Sequence, residues 1–336
     1  MRIPKNIIIS RTDSIGDTIL TLPVAAVLKK HFPDIFIGFM GTPYTKSIIE
    51  ACSNIDVFID KEEFMAQPIT LAGDKPECIV HVLPRPEIAR RAKELKIPNR
   101  IGTTNRLYHW LTCNKLVKLT RSRSNLHEAQ LNLKLLKPFG IKHNFSLHEI
   151  ESLFALNNLT PLPARFVSLL EPDKFKLIIH PKSRGSGREW DLNHYVSLIE
   201  MLDPQKFQIF VSGTPAEKQV IELLLDKVGQ RVTSLVGLMS LPEFLAFINA
   251  CDGLLASSTG PVHVAAALQK HALGIYPPIQ PIHPGRWQPV GTKATYFVLN
   301  KACNACRHTR NTCACIQAIQ PVEIKNALEA ILLGIG

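Results

Sequence analysis

The sequence has few aromatic residues and no long apolar run. Its 336 residues are 46% hydrophobic but only 7% aromatic, an aliphatic composition typical of an α/β core. No stretch of about 18 consecutive apolar residues occurs, so a membrane-spanning helix is not expected. Residues 1–10 lead directly into a short apolar run without the pattern of a cleaved signal peptide. We therefore expect a cytoplasmic protein of two domains.

Several ligand-binding motifs are also missing. The first predicted strand is not followed by G-x-G-x-x-G, which argues against a nicotinamide dehydrogenase, and the chain has no Walker loop. No known nucleic-acid module is present, so nucleic acid is not an expected partner. Four cysteines occur as Cys303-x2-Cys306-x6-Cys313-x-Cys315 rather than as the paired C-x2-C of a zinc ribbon. A metal site and a purely structural cluster both remain open for this tail.

The chain carries a net charge of +11, which favours acidic partners such as a phosphorylated substrate or an anionic lipid surface. Its basic residues concentrate in one segment: Arg85, Arg90, Arg91, Lys93, Lys96, Arg100, Arg106, Arg121 and Arg123. Alternatively, this basic segment is a solvated surface whose positive charges pair in part with Glu87 and Glu94.

Short apolar runs alternate with amphipathic segments in both halves, which predicts an α/β fold of two doubly wound, Rossmann-like domains facing a central cleft. We place the domains at 1–165 and 166–336, because 151–176 is irregular and proline-rich. Predicted strands lie near 7–9, 35–40, 57–59, 78–83, 177–180, 207–211, 232, 253–256 and 272–276. Predicted helices lie near 18–31, 45–51, 87–95, 126–138, 192–202, 215–228, 241–250, 261–269 and 321–333.

Asp17 follows Gly16 at the turn from the first strand into the first helix. A carboxylate there can lie at the carboxyl end of the strand and face a ligand. An acid in the first turn of a helix also stabilises the helix dipole, and the local pattern leaves both interpretations open.

The segment from His180 to Arg188 (HPKSRGSGR) lies between a strand and a helix. Its glycines let the backbone approach an anion, while Lys182, Arg184 and Arg188 supply positive charge. This pattern favours diphosphate binding over a solvated basic turn.

Other polar residues follow later strands. In Ser257 to His263 (SSTGPVH), Ser258 or Thr259 caps the next helix or binds phosphate or sugar oxygens. Glu217 is either an ordinary first-turn acid or a ligand for a ribose diol. Arg286 and Trp287 either line a cleft or pack beneath the last loops.

Taken in order, these segments resemble glycosyltransferase family nine, the ADP-heptose lipopolysaccharide heptosyltransferases. The resemblance is carried by RTDSIGDTILTLP from Arg11 to Pro23, by His180-Pro through Arg188-Glu-Trp190, and by STGPVHVAAA from Ser258 to Ala267. Arg286-Trp287 and the cysteine-rich tail also fit. Where the family usually has an aspartate before Thr-Gly or Ser-Gly, this chain has Ser258.

The resemblance implies a GT-B fold and inverting transfer of heptose from ADP-heptose to the inner core of lipopolysaccharide (lipid A–Kdo), without metal or cofactor. Asp17 corresponds to the general base, and the acceptor is expected to contact Arg11, Arg85 and Arg90. Expected donor ligands are Lys182, Ser183, Arg184, Arg188, Glu217, Ser258, Thr259, Gly260 and His263. Because the expected acceptor is an anionic glycolipid, peripheral contact of the protein with the cytoplasmic face of the inner membrane stays an open expectation.

Two alternatives stay open within this resemblance. One is a related transferase that uses another nucleotide sugar, and the other is a non-catalytic relative that binds sugar or lipid.

Overall fold

The computed structural model describes residues 2–121, 124–185, 187–280, 282–301, 303 and 313–334. The chain divides into two compact units, Met1–Asn158 and Leu159–Gly336. The division falls a few residues before the boundary placed at 165 from the sequence. No helix among the described residues is both long enough and apolar enough to cross a bilayer.

The first unit contains a parallel sheet of six strands in the order β3-β2-β1-β4-β5-β6. The strands are β1 (Asn6–Ser10), β2 (Phe36–Gly41), β3 (Val57–Asp60), β4 (Cys78–His81), β5 (Asn99–Thr103) and β6 (Lys115–Val117). The helices are α1 (Ile15–Ile19), α2 (Leu22–His31), α3 (Lys46–Ala51), α4 (Lys61–Ala66), α5 (Pro86–Glu94), α6 (Leu107–Thr112), α7 (Glu128–Leu133) and α8 (Leu147–Glu151), with 3-10 turns at Pro43–Thr45 and Lys134–Phe139.

The second unit repeats this architecture with the strand order β12-β11-β10-β7-β8-β9, again all parallel. Its strands are β7 (Phe175–His180), β8 (Phe207–Val211), β9 (Thr233–Ser234), β10 (Gly253–Ser257), β11 (His271–Ile275) and β12 (Ala294–Phe297). Its helices are α9 (Ala164–Val167), α10 (Leu192–Met201), α11 (Lys218–Val228), α12 (Leu241–Ala250), α13 (Gly260–Ala267), α14 (Pro284–Trp287), α15 (Ala314–Gln317) and α16 (Pro321–Leu332), with 3-10 turns at Pro215–Glu217 and Gly229–Arg231.

Strand order reverses beside β1 in the first unit and beside β7 in the second. Ligands of doubly wound sheets bind at the carboxyl ends of the strands next to such a reversal. The loops that follow these two strands begin at Arg11 and at Pro181, so each unit places a predicted ligand loop at its reversal point. The predicted α/β class with two doubly wound sheets is confirmed.

The central strands are fully buried because helices cover both faces of a parallel sheet. Ile7, Ile8 and Ile9 have no exposed surface, and Leu177, Ile178 and Ile179 of β7 are equally buried. Continuous aliphatic runs, rather than alternating ones, are the sequence signature of such strands.

Two predicted helices are divided in the structure. The segment predicted at 18–31 forms α1 and α2, because Pro23 has no amide hydrogen with which to continue the first helix. The segment predicted at 126–138 ends as an α-helix at Leu133 and continues as a 3-10 turn that contains Pro138. The sequence analysis also missed three strands and six helices, all of them short: β5, β6, β12, α4, α6, α8, α9, α14 and α15.

Two histidines are buried side by side in the first unit. His81 ends β4 and His109 lies on α6, with no exposed surface on either and 5.6 Å between their ring centroids. His109 Nδ1 accepts a hydrogen bond from the Thr103 amide at 2.9 Å, whereas neither ring nitrogen of His81 has a hydrogen-bond partner among the described residues. Burial, together with the nearby His109 and Arg100, lowers the pKa of His81 to about 3.

This burial predicts acid sensitivity. Below pH about 6.5 the unfolded chain binds a proton at residue 81 and the folded chain does not, so stability falls as the pH drops. His81→Leu should therefore reduce the loss of unfolding free energy between pH 7 and pH 5 by about 1–2 kcal/mol, measured by urea denaturation. His148→Leu is the control: the position is 86% exposed and its ring pairs with Glu151 at the surface, so that loss should change by well under about 1 kcal/mol. If wild type and His81→Leu lost the same unfolding free energy between pH 7 and pH 5, the burial of His81 would not be the cause of the acid sensitivity.

Candidate functional site

The site in the first unit is centred on Arg11, the residue directly after β1. Its side chain is only 4% exposed and is surrounded by three carboxylates. Nε donates to Asp13 Oδ1 at 2.7 Å, Nη1 donates to Glu128 Oε1 at 3.2 Å, and Nη2 donates to Asp17 Oδ1. A buried guanidinium requires such compensation, because an unpaired buried charge is strongly destabilising.

Asp17 lies in the first turn of α1, as the sequence predicted. Ser14 caps this helix and donates its hydroxyl to Asp17 Oδ2 at 2.6 Å, so both carboxylate oxygens are held in place. The Asp17 side chain nevertheless keeps 18% of its surface exposed. The carboxylate is therefore fixed in direction and still accessible to a ligand.

The sequence analysis missed the residues that support this site from α7. Glu128 is 1% exposed and accepts from Arg121 Nε at 2.9 Å as well as from Arg11. Arg121 also donates to Asn132 Oδ1 at 2.9 Å, and Asn132 donates to the Leu20 carbonyl at 3.0 Å. Glu128 and Asn132 are four residues apart, and polar residues at that spacing on the buried side of an amphipathic helix were the available signal.

The other predicted acceptor residues are at the surface. Arg85 caps α5 after the loop that follows β4, and Arg90 lies on α5; both are exposed. Arg123 lies outside the described residues. Among the described members of the basic segment, Arg91, Arg100 and Arg121 are partly buried and make internal hydrogen bonds, so the segment is only in part a surface feature.

In the second unit, the loop after β7 is organised by Glu189, which the sequence analysis did not single out. Its carboxylate accepts from the Ser183 amide and the Ser183 hydroxyl, each at 2.7 Å, and pairs with Lys182. Arg184 and Gly185 adopt left-handed backbone angles, with φ of +51° and +76°, which turn the chain back sharply. Lys182 and Ser183 are therefore presented in a defined arrangement rather than on a loose turn.

Glu217 links this loop to the end of β8. It accepts from the Arg184 amide at 3.2 Å and from the Thr214 amide and hydroxyl at 2.8 Å each. Burial raises the pKa of the Glu217 carboxyl, but the Thr214 hydrogen bonds, His180 and the Arg184 amide outweigh it and lower the pKa overall. Glu217 is therefore a buried anion that holds the loop in place.

A glycine brings the same loop against the segment after β10. A Cβ atom on Gly187 would lie 2.5 Å from the Ser258 carbonyl oxygen, so only glycine allows this close approach. Arg188, directly after Gly187, is thereby anchored close to the start of α13.

Thr259 is the N-cap residue of α13, but its side chain makes no capping hydrogen bond. The hydroxyl is buried and has no hydrogen-bond partner among the described residues. A buried polar group normally has a partner, so this hydroxyl at a helix N-terminus is suited to a bound anion. Gly260 and His263 lie in the first turn of α13, and His263 is 4% exposed.

The Ser258 side chain lies beside Tyr276. Tyr276 donates its hydroxyl to the Trp287 carbonyl at 2.7 Å, and Arg286 lies 5.3 Å from the Trp287 ring centroid. Arg286 and Trp287 are therefore connected through Tyr276 to the loop that carries Ser258.

The cysteine-rich tail is only partly described, and Cys306 lies outside the described residues. Cys313 and Cys315 are buried and Cys303 is half-buried. Burial and the neighbouring Cys303 thiol raise the pKa of Cys315 to about 11. Over the described ranges, no group of three or more histidine, cysteine, aspartate or glutamate side chains has an arrangement that could hold a metal ion. The other cysteines, Cys52, Cys78, Cys113 and Cys251, are buried free thiols.

Comparison with known proteins agrees with this architecture. A "Putative glycosyltransferase" of Haemophilus influenzae is 25% identical over 299 residues, covering 85% of this chain and 86% of the relative. The crystal structure of a glycosyl transferase family 9 protein from Veillonella parvula is similar with a TM-score of 0.80 at 16% identity, covering 99% of both chains. The Escherichia coli "ADP-heptose lps heptosyltransferase II" is similar with a TM-score of 0.74 at 17% identity, covering 98% of this chain and 99% of that one.

These structural similarities confirm the GT-B class expected from the sequence. The model of the family described as "Glycosyltransferase family 9 (heptosyltransferase)" matches residues 92–317, more than half of the chain. The matched range contains the loop of Lys182, the close approach of Gly187 and the start of α13. The chain is therefore a member of glycosyltransferase family 9.

Proposed function

We propose that this glycosyltransferase transfers a heptose from ADP-heptose to the inner core of lipopolysaccharide, on a lipid A–Kdo acceptor, with inversion at the anomeric carbon. The observation that carries the proposal is the state of Asp17. Arg11 and Ser14 hold both of its carboxylate oxygens, yet 18% of its side chain stays exposed. A general base needs this combination of fixed direction and access.

The acceptor step requires removal of a proton. A sugar hydroxyl is a weak nucleophile, and Asp17 accepts its proton as the oxygen attacks the anomeric carbon. Arg11 was expected to bind the acceptor, but its three carboxylate partners occupy the guanidinium. We assign Arg11 a positioning role through Asp17, and leave direct acceptor contacts to the exposed Arg85 and Arg90.

The donor step requires stabilisation of the departing diphosphate. Negative charge develops on the leaving ADP as the glycosidic bond breaks. Lys182, Arg184 and Arg188 supply positive charge, and the first turn of α13 supplies amides with the Thr259 hydroxyl beside them. Attack opposite the leaving group gives the inverted product.

Ser183 and Glu217 complete the donor site. Glu189 fixes the Ser183 hydroxyl, and Glu217 orders the Arg184 amide. Remaining lone pairs on the Glu217 carboxylate are available to the ribose hydroxyls of the nucleoside.

A second donor is favoured by one specific residue. The family usually has an aspartate at the position of Ser258, and here a neutral hydroxyl lies beside Tyr276 instead. A neutral hydroxyl forms weaker hydrogen bonds with sugar hydroxyls than a carboxylate does. The alternative is a family member that takes another nucleotide sugar.

A panel of nucleotide sugars tests the donor assignment. Purified protein is titrated with ADP-, UDP-, GDP- and CMP-linked sugars by calorimetry, and donor hydrolysis is followed by mass spectrometry. The proposal predicts tightest binding of ADP-heptose. Preference for another nucleotide sugar supports the alternative. Binding of a nucleotide sugar with no transfer after the acceptor is added identifies a non-catalytic relative.

Asp17→Asn tests the base. It keeps the shape of the side chain and removes its ability to take a proton, so transfer should fall at least about 100-fold while donor affinity is unchanged. Asp13→Asn is the matched control, because Asp13 also pairs with Arg11 but is not the proposed base. Asp13→Asn should cost less activity than Asp17→Asn. Full turnover by Asp17→Asn would reject the assignment.

Thr259→Val tests the start of α13. The change removes a buried hydroxyl without a described partner and keeps the side-chain volume, so thermal stability should be unchanged or higher. Donor affinity, measured by calorimetry, should fall about tenfold. Thr18→Val removes a similarly unpartnered buried hydroxyl from the first unit and should leave donor affinity unchanged. Equal donor affinity in wild type and Thr259→Val would contradict the contact.

Arg188→Ala should weaken donor binding about tenfold to a hundredfold, since hydrogen bonds to a charged phosphate are lost. Arg188→Lys should recover part of the affinity, because the charge returns without the planar geometry. The measurement is competitive displacement of a fluorescent ADP analogue. Lys218→Ala, at an exposed position of α11, is the control and should leave donor affinity unchanged. If Arg188→Ala also left donor affinity unchanged, Arg188 would not belong to the donor site.

A further inference from the structure

Three large apolar side chains lie exposed on one short helix of the first unit. On α6, Leu107 is 87% exposed, Trp110 is 59% exposed and Leu111 is 75% exposed. Their spacing of three and four residues places them on one face of the helix, while His109 and Thr112 face inward. We call Leu107, Trp110 and Leu111 the α6 face. Exposed groups of this kind mark interaction surfaces.

The indole of Trp110 is held in place rather than free to turn inward. Its Nε1 donates to the Thr104 carbonyl at 3.0 Å, so the polar atom of the ring is satisfied within the protein. The surface that remains exposed is hydrocarbon. Tryptophan with a satisfied polar edge and an exposed apolar body is typical of the interface between a bilayer and water.

Cations lie beside the α6 face, on α5 and at the start of α6. Lys93 on the adjacent α5 donates to the Leu111 carbonyl at 2.9 Å, which places its charge at the edge of the face. Arg106 caps α6, and Arg85 and Arg90 are exposed at and along α5. Residues 85–118 contain nine lysines and arginines against two glutamates.

The two glutamates offset only part of this charge. Glu87 is half-buried, and Glu94 lies 3.8 Å from the half-buried Arg91, so the exposed cations named above keep their charge. An apolar centre with a basic rim matches a surface with an apolar interior and anionic head groups. The same rim opposes the face of a second copy of this chain, since like charges would then meet.

We propose that the α6 face and its basic rim dock the protein on the surface of an anionic lipid bilayer. Leu107, Trp110 and Leu111 enter the head-group region, and the cations attract the anionic lipid. α6 begins after β5, at the same edge of the first sheet as Asp17, so docking brings this edge to a membrane that carries a lipid-linked acceptor. The docking itself does not depend on the proposed reaction.

The test is vesicle binding by the full-length protein without donor or acceptor. Vesicles of phosphatidylethanolamine with phosphatidylglycerol are compared with vesicles of phosphatidylcholine in a sedimentation assay at low and high salt. The proposal predicts binding to the anionic vesicles that weakens with salt, and a blue shift of tryptophan fluorescence that Trp110→Phe removes. Of the other two tryptophans, Trp190 is buried and Trp287 is half-buried.

Matched variants separate the face from general apolar exposure. Leu107→Ser with Leu111→Ser should weaken anionic vesicle binding at least about tenfold, because two side chains no longer enter the lipid. Leu223→Ser with Leu238→Ser, at positions 61% and 58% exposed in the second unit, should leave binding unchanged. Arg90→Glu with Lys93→Glu should abolish the preference for anionic lipid.

Three outcomes would overturn the proposal. These are no binding to anionic vesicles, equal binding by wild type and the double serine variant of α6, and self-association in solution that this variant removes. The last result, measured by analytical ultracentrifugation, would assign the face to a second copy of the chain. Because no sugar transfer is measured, failure of the donor assignment leaves this test unaffected.

Discussion

The enclosed guanidinium of Arg11 is the interaction on which the site in the first unit depends. A cation with 4% exposure persists only where anions surround it, and Asp13, Asp17 and Glu128 provide them. Because the guanidinium is planar and rigid, each of its donors fixes the direction of one carboxylate. Two of those carboxylates belong to the loop and α1, and the third belongs to α7. The network thus ties a loop to a distant part of the chain. It leaves the Asp17 carboxylate, both of whose oxygens are held, accessible.

The second unit carries the opposite charge, which suits the anion that we propose it binds. Its loop after β7 carries cations, and Glu189 and Glu217 hold that loop in shape by accepting its amides and hydroxyls. The glycine at 187 then lets the loop approach the start of α13. Both units follow the same rule of parallel sheets, in which loops at the reversal of strand order carry the chemistry. Charge distinguishes them: an accessible carboxylate in the first unit and accessible cations in the second.

The sequence predicted the fold well where patterns were strong. Continuous aliphatic runs identified β1, β7 and β10, and the Gly-Asp turn and the Lys-Ser-Arg-Gly loop were correctly assigned to the ends of strands. It failed for short elements, among them β5, β6, β12 and α6, which obtain their stability from packing rather than from propensity. It also failed to divide the first helix, although Pro23 was visible in the sequence.

The supporting residues of the site were harder to predict for a physical reason. Glu128, Asn132 and Glu189 act through contacts with residues that are remote in sequence or across a turn, and no local motif marks them. Arg11 looked like a free cation for an acceptor, whereas the fold encloses it among carboxylates. Sequence spacing identifies which residues reach a loop, but only the folded chain shows which of them are already paired.

The most direct test of the account is the stereochemistry and stoichiometry of a single reaction. ADP-heptose and a lipid A–Kdo acceptor are incubated with the protein, ADP release is followed by ³¹P NMR, and the product linkage is determined by ¹H NMR. The account predicts that ADP release requires the acceptor, that one ADP appears per sugar transferred, and that the anomeric configuration is inverted. Retention of configuration, or ADP release at the same rate without acceptor, would contradict a single displacement assisted by Asp17.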